Sequence, residues 1–408
     1  MKIVEVNTVD YGSTGRIMLQ IAQCARTHGH CVWTYSMAPK VQTVPPEGHK
    51  YYSGYLAYCV HYILGKITGC NGFFSLIPTL RLIKDFQKIK PDIVHLHNLH
   101  GFSVNLPLLF GYLKKTKVRV IWTLHDCWAF TGHCAHFESI KCEKWKTGCY
   151  SCPLYKGYPE SNVDNSKWMW GLKRKWFSGL MDLTIVTPSN WLAKQVRESF
   201  LKDYPVRVIN NGIDLTIFKP TKSEFRKQYG IEEAKHIVLG IAFGWGYKKG
   251  LDVFAQLAKS LGEKYQIVLV GTSEDVDQTL PHNIISIHRT SNQWELVAIY
   301  SAADVFVNAT REDTFPTVNI EALACGIPVI TFGTGGSPEI LDNTCGMTVP
   351  CNDVTLLQAA IERVVNEKPF TQSACVNRSA QFDRNGKYTE YVALYQPTIM
   401  NGQRGEKK

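Results

Sequence analysis

Short apolar runs alternate with amphipathic stretches along the chain. KIVEV, CVWTYS, DIVHLH, VRVIWTLHD and LTIVTPS are rich in Val, Ile and Thr and bounded by polar turns, which predicts strands. Between them, apolar spacing predicts helices that include Ile17–Thr27 and Thr79–Lys90, the second stopped at Lys90-Pro91-Asp92. The pattern restarts after Pro220. HIVLGIAF, QIVLVGT, IISIHR, DVFVNAT and GIPVITF form a second strand series, separated by helices Leu251–Leu261, Asn292–Ala302 and Thr317–Ala324. Alternation of strand and helix implies parallel sheets covered on both faces, and the restart implies two of them. The fold class is therefore α/β with two doubly wound domains. The loop-like NNGIDLTIFKP marks the boundary, giving domains 1–212 and 213–380. Residues 381–400 are expected to form a C-terminal helix returning to the first domain, and 401–408 a disordered tail.

Length and composition agree with this division: 408 residues, 45% hydrophobic and 20% charged, can bury two cores. The net charge of +10 is uneven, with 24 Lys and Arg against 12 Asp and Glu in residues 1–200. A basic half suits an anionic substrate, an anionic membrane surface or nucleic acid, or simply solvated helix faces. No nucleic-acid motif accompanies it, so nucleic acid is not expected as a partner. The opening MKIVEVNT reads as a buried strand and not as a secretory signal, and no 18-residue uncharged apolar run occurs. With 13 cysteines, this points to free thiols or metal ligands and a cytoplasmic location.

Ligands of doubly wound sheets bind beyond the carboxyl ends of strands, so residues there carry the candidate chemistry. The first strand runs into Tyr11-Gly12-Ser13-Thr14-Gly15-Arg16, either a plain tight turn or a backbone approach to an anion at a helix start. His95 and His97 share one strand face, and His97 and His100 are candidates to line a cleft. His125 ends the next strand. Cys134, Cys142, Cys149 and Cys152 have the spacing of a tetrathiolate zinc knuckle within an insert near 127–152. His133, His136 and Cys127 are substitute ligands, and free thiols or a local disulfide are the other readings. In the second half, Gly244-Trp245-Gly246-Tyr247-Lys248-Lys249-Gly250 is either a phosphate-binding turn or a surface loop. The segment from Arg311 to Gly326 places Asp313 in a loop before a short helix and Glu321 just over one turn inside it. Carboxylates there suit sugar and ribose hydroxyls, and the helix amides suit phosphate.

Taken together, VINNGIDLTIFKP, YKKGLDVF, the carboxylate-x7-Glu segment ending in EALACGIPVI, and GTGGSPEI resemble glycosyltransferase family 4, the retaining GT-B enzymes. HLHNLHGF and WTLHDCWAFTGHC resemble its bacterial exopolysaccharide branch, including colanic-acid-type enzymes. The resemblance implies a GT-B fold, two Rossmann-like domains facing a central cleft. It also implies transfer of a sugar from a nucleoside diphosphate donor to a saccharide acceptor. Glu321 would hold the donor ribose, Asp313 the transferred sugar, and Thr314, Phe315 and Pro316 would offer amides to sugar and phosphate. Lys249, with Lys248 beside it, would neutralise the diphosphate, Gly12 and Gly15 would approach it, and His125 would stand near the reacting centre. No catalytic metal is expected. Two positions depart from the family: Asp313 where Glu is usual, and Phe243 where an Arg is common, leaving Lys248, Arg289 or Arg311 as a second cation.

The aromatic stretch Tyr51–Phe74 reads either as a core helix or as a membrane-interface segment. The latter suits an enzyme peripheral to the inner face of the cytoplasmic membrane, acting on a polyprenyl-diphosphate-linked acceptor. The rival readings are a nucleotide-sugar epimerase of the same fold and a non-catalytic or partner-dependent sugar-nucleotide-binding subunit.

Overall fold

The computed structural model describes residues 1–40 and 45–396; the expected tail at 401–408 lies outside them, as do the last residues of the expected C-terminal helix. The first sheet contains β1 (Lys2–Val6), β2 (Cys31–Met37), β3 (His49–Ser53), β4 (Ile93–Leu96), β5 (Arg119–Thr123), β6 (Leu183–Thr187) and β7 (Val206–Val208). The second contains β8 (His236–Ile241), β9 (Tyr265–Val270), β10 (Ile284–Ile287), β11 (Val305–Asn308), β12 (Val329–Phe332) and β13 (Gly346–Val349). Their orders are β3-β2-β1-β4-β5-β6-β7 and β10-β9-β8-β11-β12-β13. The neighbouring strands of both sheets run parallel.

Central strands such as β4 and β6 are buried throughout, because helices cover both faces and every Val and Ile finds an apolar neighbour. In each sheet the strand order reverses direction at one place, between β1 and β4 and between β8 and β11. Crevices at the carboxyl ends of strands open at such reversals. The loops leaving β1, β4, β8 and β11 contain the glycine turn, the histidine run, the lysine turn and the acidic segment. Topology alone therefore brings four distant motifs to two facing crevices.

The chain crosses between the sheets twice, and the two crossings lie side by side. Ile213 N donates to Phe382 O (3.0 Å), Arg384 N donates to Ile213 O (2.9 Å), and Arg384 pairs with Asp214 (2.9 Å). Helix Arg384–Tyr395 then packs on the first sheet: Tyr388, Tyr391 and Tyr395 share a core with Ile3, Ile17 and Ile21. Further contacts join the halves. The Glu339 carboxylate accepts from Asn190 N (2.8 Å) and Trp191 N (2.6 Å), capping helix Asn190–Glu198 with a charge that its terminal amides favour.

Two regions that the sequence left open take shape in the structure. In the insert, Cys134 and Cys152 are neighbours with Cys149 beside them, while among the described residues the four cysteines Cys134, Cys142, Cys149 and Cys152 do not all converge on one point. All 13 cysteines are free thiols. The insert packs on an aromatic core of Trp128, Phe130, Phe137 and Trp145. The buried Lys173 adds to it, donating to the carbonyls of Trp128 (2.8 Å) and Thr131 (3.1 Å) while standing 3.5 Å over the Trp128 ring. The second region is Tyr51–Phe74. Helix Tyr55–Thr68 buries only His61 and Gly65 and leaves Leu56, Val60, Ile63 and Ile67 exposed. Their spacing places them on one helix face, so this is not a core helix.

Candidate functional site

A cleft of about 340 Å³ lies between the two crevices, lined by residues of both halves. From the first half come Ser13, Thr14, Asn98, His125, Asp126 and His136; from the second come Phe243, Trp245, Lys249 and the run Glu312–Val318. Helix Gly12–Thr27 begins five residues earlier than its sequence pattern suggests, so the glycine turn is its first turn. Its N-cap, Tyr11, offers no side-chain hydrogen bond. Gly15 is required by close approach: a Cβ there would sit 2.4 Å from the Asp10 carbonyl carbon. Helix Thr317–Ala324 faces it across the cleft, with Pro316 as N-cap and again no side-chain cap. Some other helices are capped by side chains, such as Ser189 and Asp353, and others, such as Tyr55–Thr68 and Ser166–Phe177, are not. Two helix starts with uncapped amides thus border one cleft, each with the partial positive charge of its dipole.

The second-half wall is charged. Lys249 Nζ lies 2.9 Å from Asp313 Oδ2, and Asp313 Oδ1 accepts from Phe315 N (3.2 Å). Gly335 fixes this loop from behind: its φ is +55°, and a Cβ there would fall 1.6 Å from Asp313 O. Glu321 lies one turn along the helix and accepts from the buried Tyr300 hydroxyl (3.0 Å). Burial pushes its carboxyl up, opposed by that hydrogen bond and by the positive charge of Arg16. Arg16 belongs to the first turn of helix Gly12–Thr27 on the opposite wall.

Among the candidates for a second cation, Arg311 is buried and committed. It makes a two-pronged pair with Asp252 (2.7 and 2.8 Å) and stacks 3.8 Å from the Tyr247 ring. Lys248 pairs with Glu312 (2.7 Å), and Arg289 is exposed away from the cleft lining. Phe243 is fully exposed at the cleft.

The first-half wall is polar but mostly uncharged. His125 Nε2 lies 3.1 Å from His97 Nδ1, and its backbone carbonyl accepts from Thr314 Oγ1 (2.8 Å) of the opposite half. Burial holds His125 and His97 down at about 3, so both are neutral imidazoles near pH 7. Neither His97 nor His100 lines the cleft. Asp126 does, and it is ionised. Burial acts to raise its carboxyl, but the His100 charge and hydrogen bond (2.8 Å), His136 and the Trp128 amide outweigh it, holding Asp126 at about 2. His136, a substitute zinc ligand on sequence grounds, lines the cleft instead. The insert also touches the second half. Glu138 accepts from Gly335 N (2.8 Å), and Ser139 hydrogen-bonds Glu312.

Of the expected residues, the structure brings His125, Lys249, Asp313, Thr314, Phe315 and Pro316 together at the cleft. Gly12 and Gly15 lie behind Ser13 and Thr14, while Lys248 and Glu321 stand beside the lining. Asp126 and His136 were not singled out for it; the signal for Asp126 was its place directly after His125.

Two doubly wound sheets with facing switch points define the GT-B architecture, and solved structures share it. Anabaena HepE in complex with UDP superposes with a TM-score of 0.66 at 15% identity, covering 97% of this chain and 99% of that one. The chain belongs to glycosyltransferase family 4. Residues 14–217 match "Glycosyltransferase Family 4" and residues 235–367 match "Glycosyl transferases group 1". It is a glycosyltransferase. The putative colanic acid biosynthesis glycosyl transferase WcaC of Escherichia coli K12 is 27% identical over 318 residues, covering 75% of this chain and 76% of its own. The N,N'-diacetylbacillosaminyl-diphospho-undecaprenol alpha-1,3-N-acetylgalactosaminyltransferase of Campylobacter jejuni is 26% identical over 223 residues, covering 51% of this chain and 59% of its own.

Proposed function

We propose that this enzyme moves a sugar, with retention of anomeric configuration, from a nucleoside diphosphate to a saccharide carried on polyprenyl diphosphate in bacterial surface-polysaccharide assembly. The observation that carries the reading is the pair of uncapped helix starts facing one cleft beside Lys249. Amides and a lysine converging there suit a diphosphate, whose charge grows as the sugar departs. Glu321 is assigned to the ribose hydroxyls and Asp313 to the transferred sugar. Thr314–Pro316 offer amides, Gly12 and Gly15 let the backbone approach, and Lys248 supports Lys249. In the reaction the anomeric carbon–oxygen bond to the diphosphate breaks and a bond to the acceptor oxygen forms on the same face. The acceptor proton passes to the departing diphosphate oxygen. His125 stands at the reacting centre.

The UDP of the HepE complex and the polyprenyl-linked substrate in the Campylobacter enzyme's name support the donor and acceptor classes. The exposed face Leu56, Val60, Ile63 and Ile67, together with the exposed Ile77 and Leu80 on the next helix, supports attachment at the inner membrane leaflet. Arg81, Lys84 and Lys88 are exposed on the adjoining helix Leu76–Ile89 and suit anionic headgroups. No helix among the described residues is long and apolar enough to cross a membrane.

The test is incubation with UDP-, GDP- and ADP-sugars and a polyprenyl-diphosphate-linked saccharide. Transfer to the lipid-linked acceptor is expected. An altered nucleotide sugar formed without acceptor would instead identify an epimerase, and donor binding without turnover a non-catalytic subunit. For the membrane face, flotation with anionic vesicles is expected to be lost in Ile63→Asp/Ile67→Asp; flotation equal to wild type contradicts it.

A further inference from the structure

Between β5 and helix Ser166–Phe177 the chain makes a long detour, and one turn of it stands at the cleft. Two anchors fix that turn. Before it, Ala135 O accepts from Cys127 N (2.8 Å). After it, Phe137 is buried against Phe130 and Trp145, with ring centroids 6.5 and 5.0 Å away, and Phe137 O accepts from Cys142 N (3.2 Å). His136 lies between these anchors and lines the cleft. The next two residues cross to the other half. Glu138 accepts from Gly335 N (2.8 Å), and Ser139 hydrogen-bonds Glu312. Gly335 and Glu312 are the residues that flank Asp313, one packed behind its carbonyl and the other next to it in the chain. The insert therefore holds His136 and the Asp313 loop in one frame.

Among the described residues His136 has charged neighbours but no hydrogen-bond partner. The neighbours are Asp126, Glu312, Asp313 and Lys249, all of which line the cleft. Three of the four are carboxylates, and Lys249 is already paired with Asp313 (2.9 Å). A phosphate is disfavoured in such surroundings and a neutral hydroxyl is not. Burial holds the imidazole below its usual range against the pull of the carboxylates, so it is neutral near pH 7. A neutral imidazole carries one N–H donor and one nitrogen acceptor. A sugar hydroxyl also both donates and accepts, so it can use either ring nitrogen, whereas an ionised phosphate oxygen only accepts.

We propose that His136 is a specificity-determining residue that hydrogen-bonds a hydroxyl of the transferred sugar beside Asp313. Asp313 and His136 reach that sugar from opposite halves of the molecule. A sugar whose hydroxyl points elsewhere leaves one of them unpaired inside the closed site, and that is how a hydrogen-bonding pocket rejects a close analogue. The inference rests on the assignment of Asp313 to the transferred sugar.

Calorimetry on the full-length protein separates the sugar from the nucleotide. The titrants are UDP, GDP and ADP, followed by UDP-glucose, UDP-galactose, UDP-N-acetylglucosamine, GDP-mannose and ADP-glucose, each run on wild type, His136→Ala and His136→Gln. His136→Ala should leave the Kd of the bare diphosphate within about twofold of wild type and weaken the preferred nucleotide sugar about tenfold, narrowing the gap to the less favoured sugars. His136→Gln keeps a donor and an acceptor and should recover part of that loss. Wild-type sugar preferences persisting in His136→Ala would overturn the proposal, as would a wild type without any sugar preference. Equal weakening of diphosphate and nucleotide sugar also overturns it, because that is the effect of a merely structural role. A rise in acceptor KM with donor binding intact overturns it too, and places His136 on the acceptor instead. Each of these outcomes leaves the proposed function standing, whereas a wild type that binds no nucleoside diphosphate contradicts that function and this inference together.

Discussion

The two walls of the cleft solve different problems with different chemistry. The second-half wall presents exposed or half-exposed lysines to the cleft: Lys249 beside Asp313, and Lys248 beside the buried Glu312. The first-half wall places neutral imidazoles and one ionised carboxylate, Asp126, against a buried polar interior. A lysine can follow a diphosphate as its charge grows, at the cost of screening by salt. A histidine fixed from behind cannot follow, but its geometry and protonation are set by the fold. Substitutions on the charged wall should therefore change donor binding in a salt-dependent manner. Those on the neutral wall should change turnover in a pH-dependent manner.

The largest effect is expected at Lys249. Lys249→Ala should lower kcat by about 10²–10³-fold, the usual cost of removing one preorganised stabiliser of developing charge. Steady-state kinetics check it, and an unchanged kcat would dissolve the distinction between the walls. His125→Ala should follow, lowering kcat by about 10–100-fold, the worth of a hydrogen bond to a charged group. Calorimetry at 50 and 300 mM salt should show its donor Kd little altered at either. A salt-sensitive loss of donor affinity would place His125 with the charged wall. The smallest effect is expected at Phe243, which is exposed at the cleft, whose lining among the described residues includes Lys249 and no other lysine or arginine. Phe243→Arg should tighten donor Kd a few-fold, consistent with about 0.5–1 kcal/mol for an exposed ion pair. That gain should shrink with added salt.

The walls also differ in how far they could be read from the sequence. Asp313, Thr314, Phe315, Pro316 and Glu321 fall within one run of nine residues after a single strand, so spacing alone places them. The neutral wall needs β4 and β5 side by side, and nothing local in the sequence joins His97 to His125. Edge strands were missed for a related reason: β7 has three residues, and β3, HKYYS, lacks the apolar pattern of a central strand. The packing of the cysteine insert was not legible either: cysteine spacing does not show that Trp145, Phe137 and Lys173 hold it.

Donor recognition at the charged wall is the central claim, and isothermal calorimetry with UDP, GDP, ADP and their sugars tests it most directly, on wild type and Glu321→Ala. Selective binding of one nucleotide family, weakened about tenfold or more by Glu321→Ala, is the predicted result. Binding of every nucleotide alike, unaffected by Glu321→Ala, would contradict it.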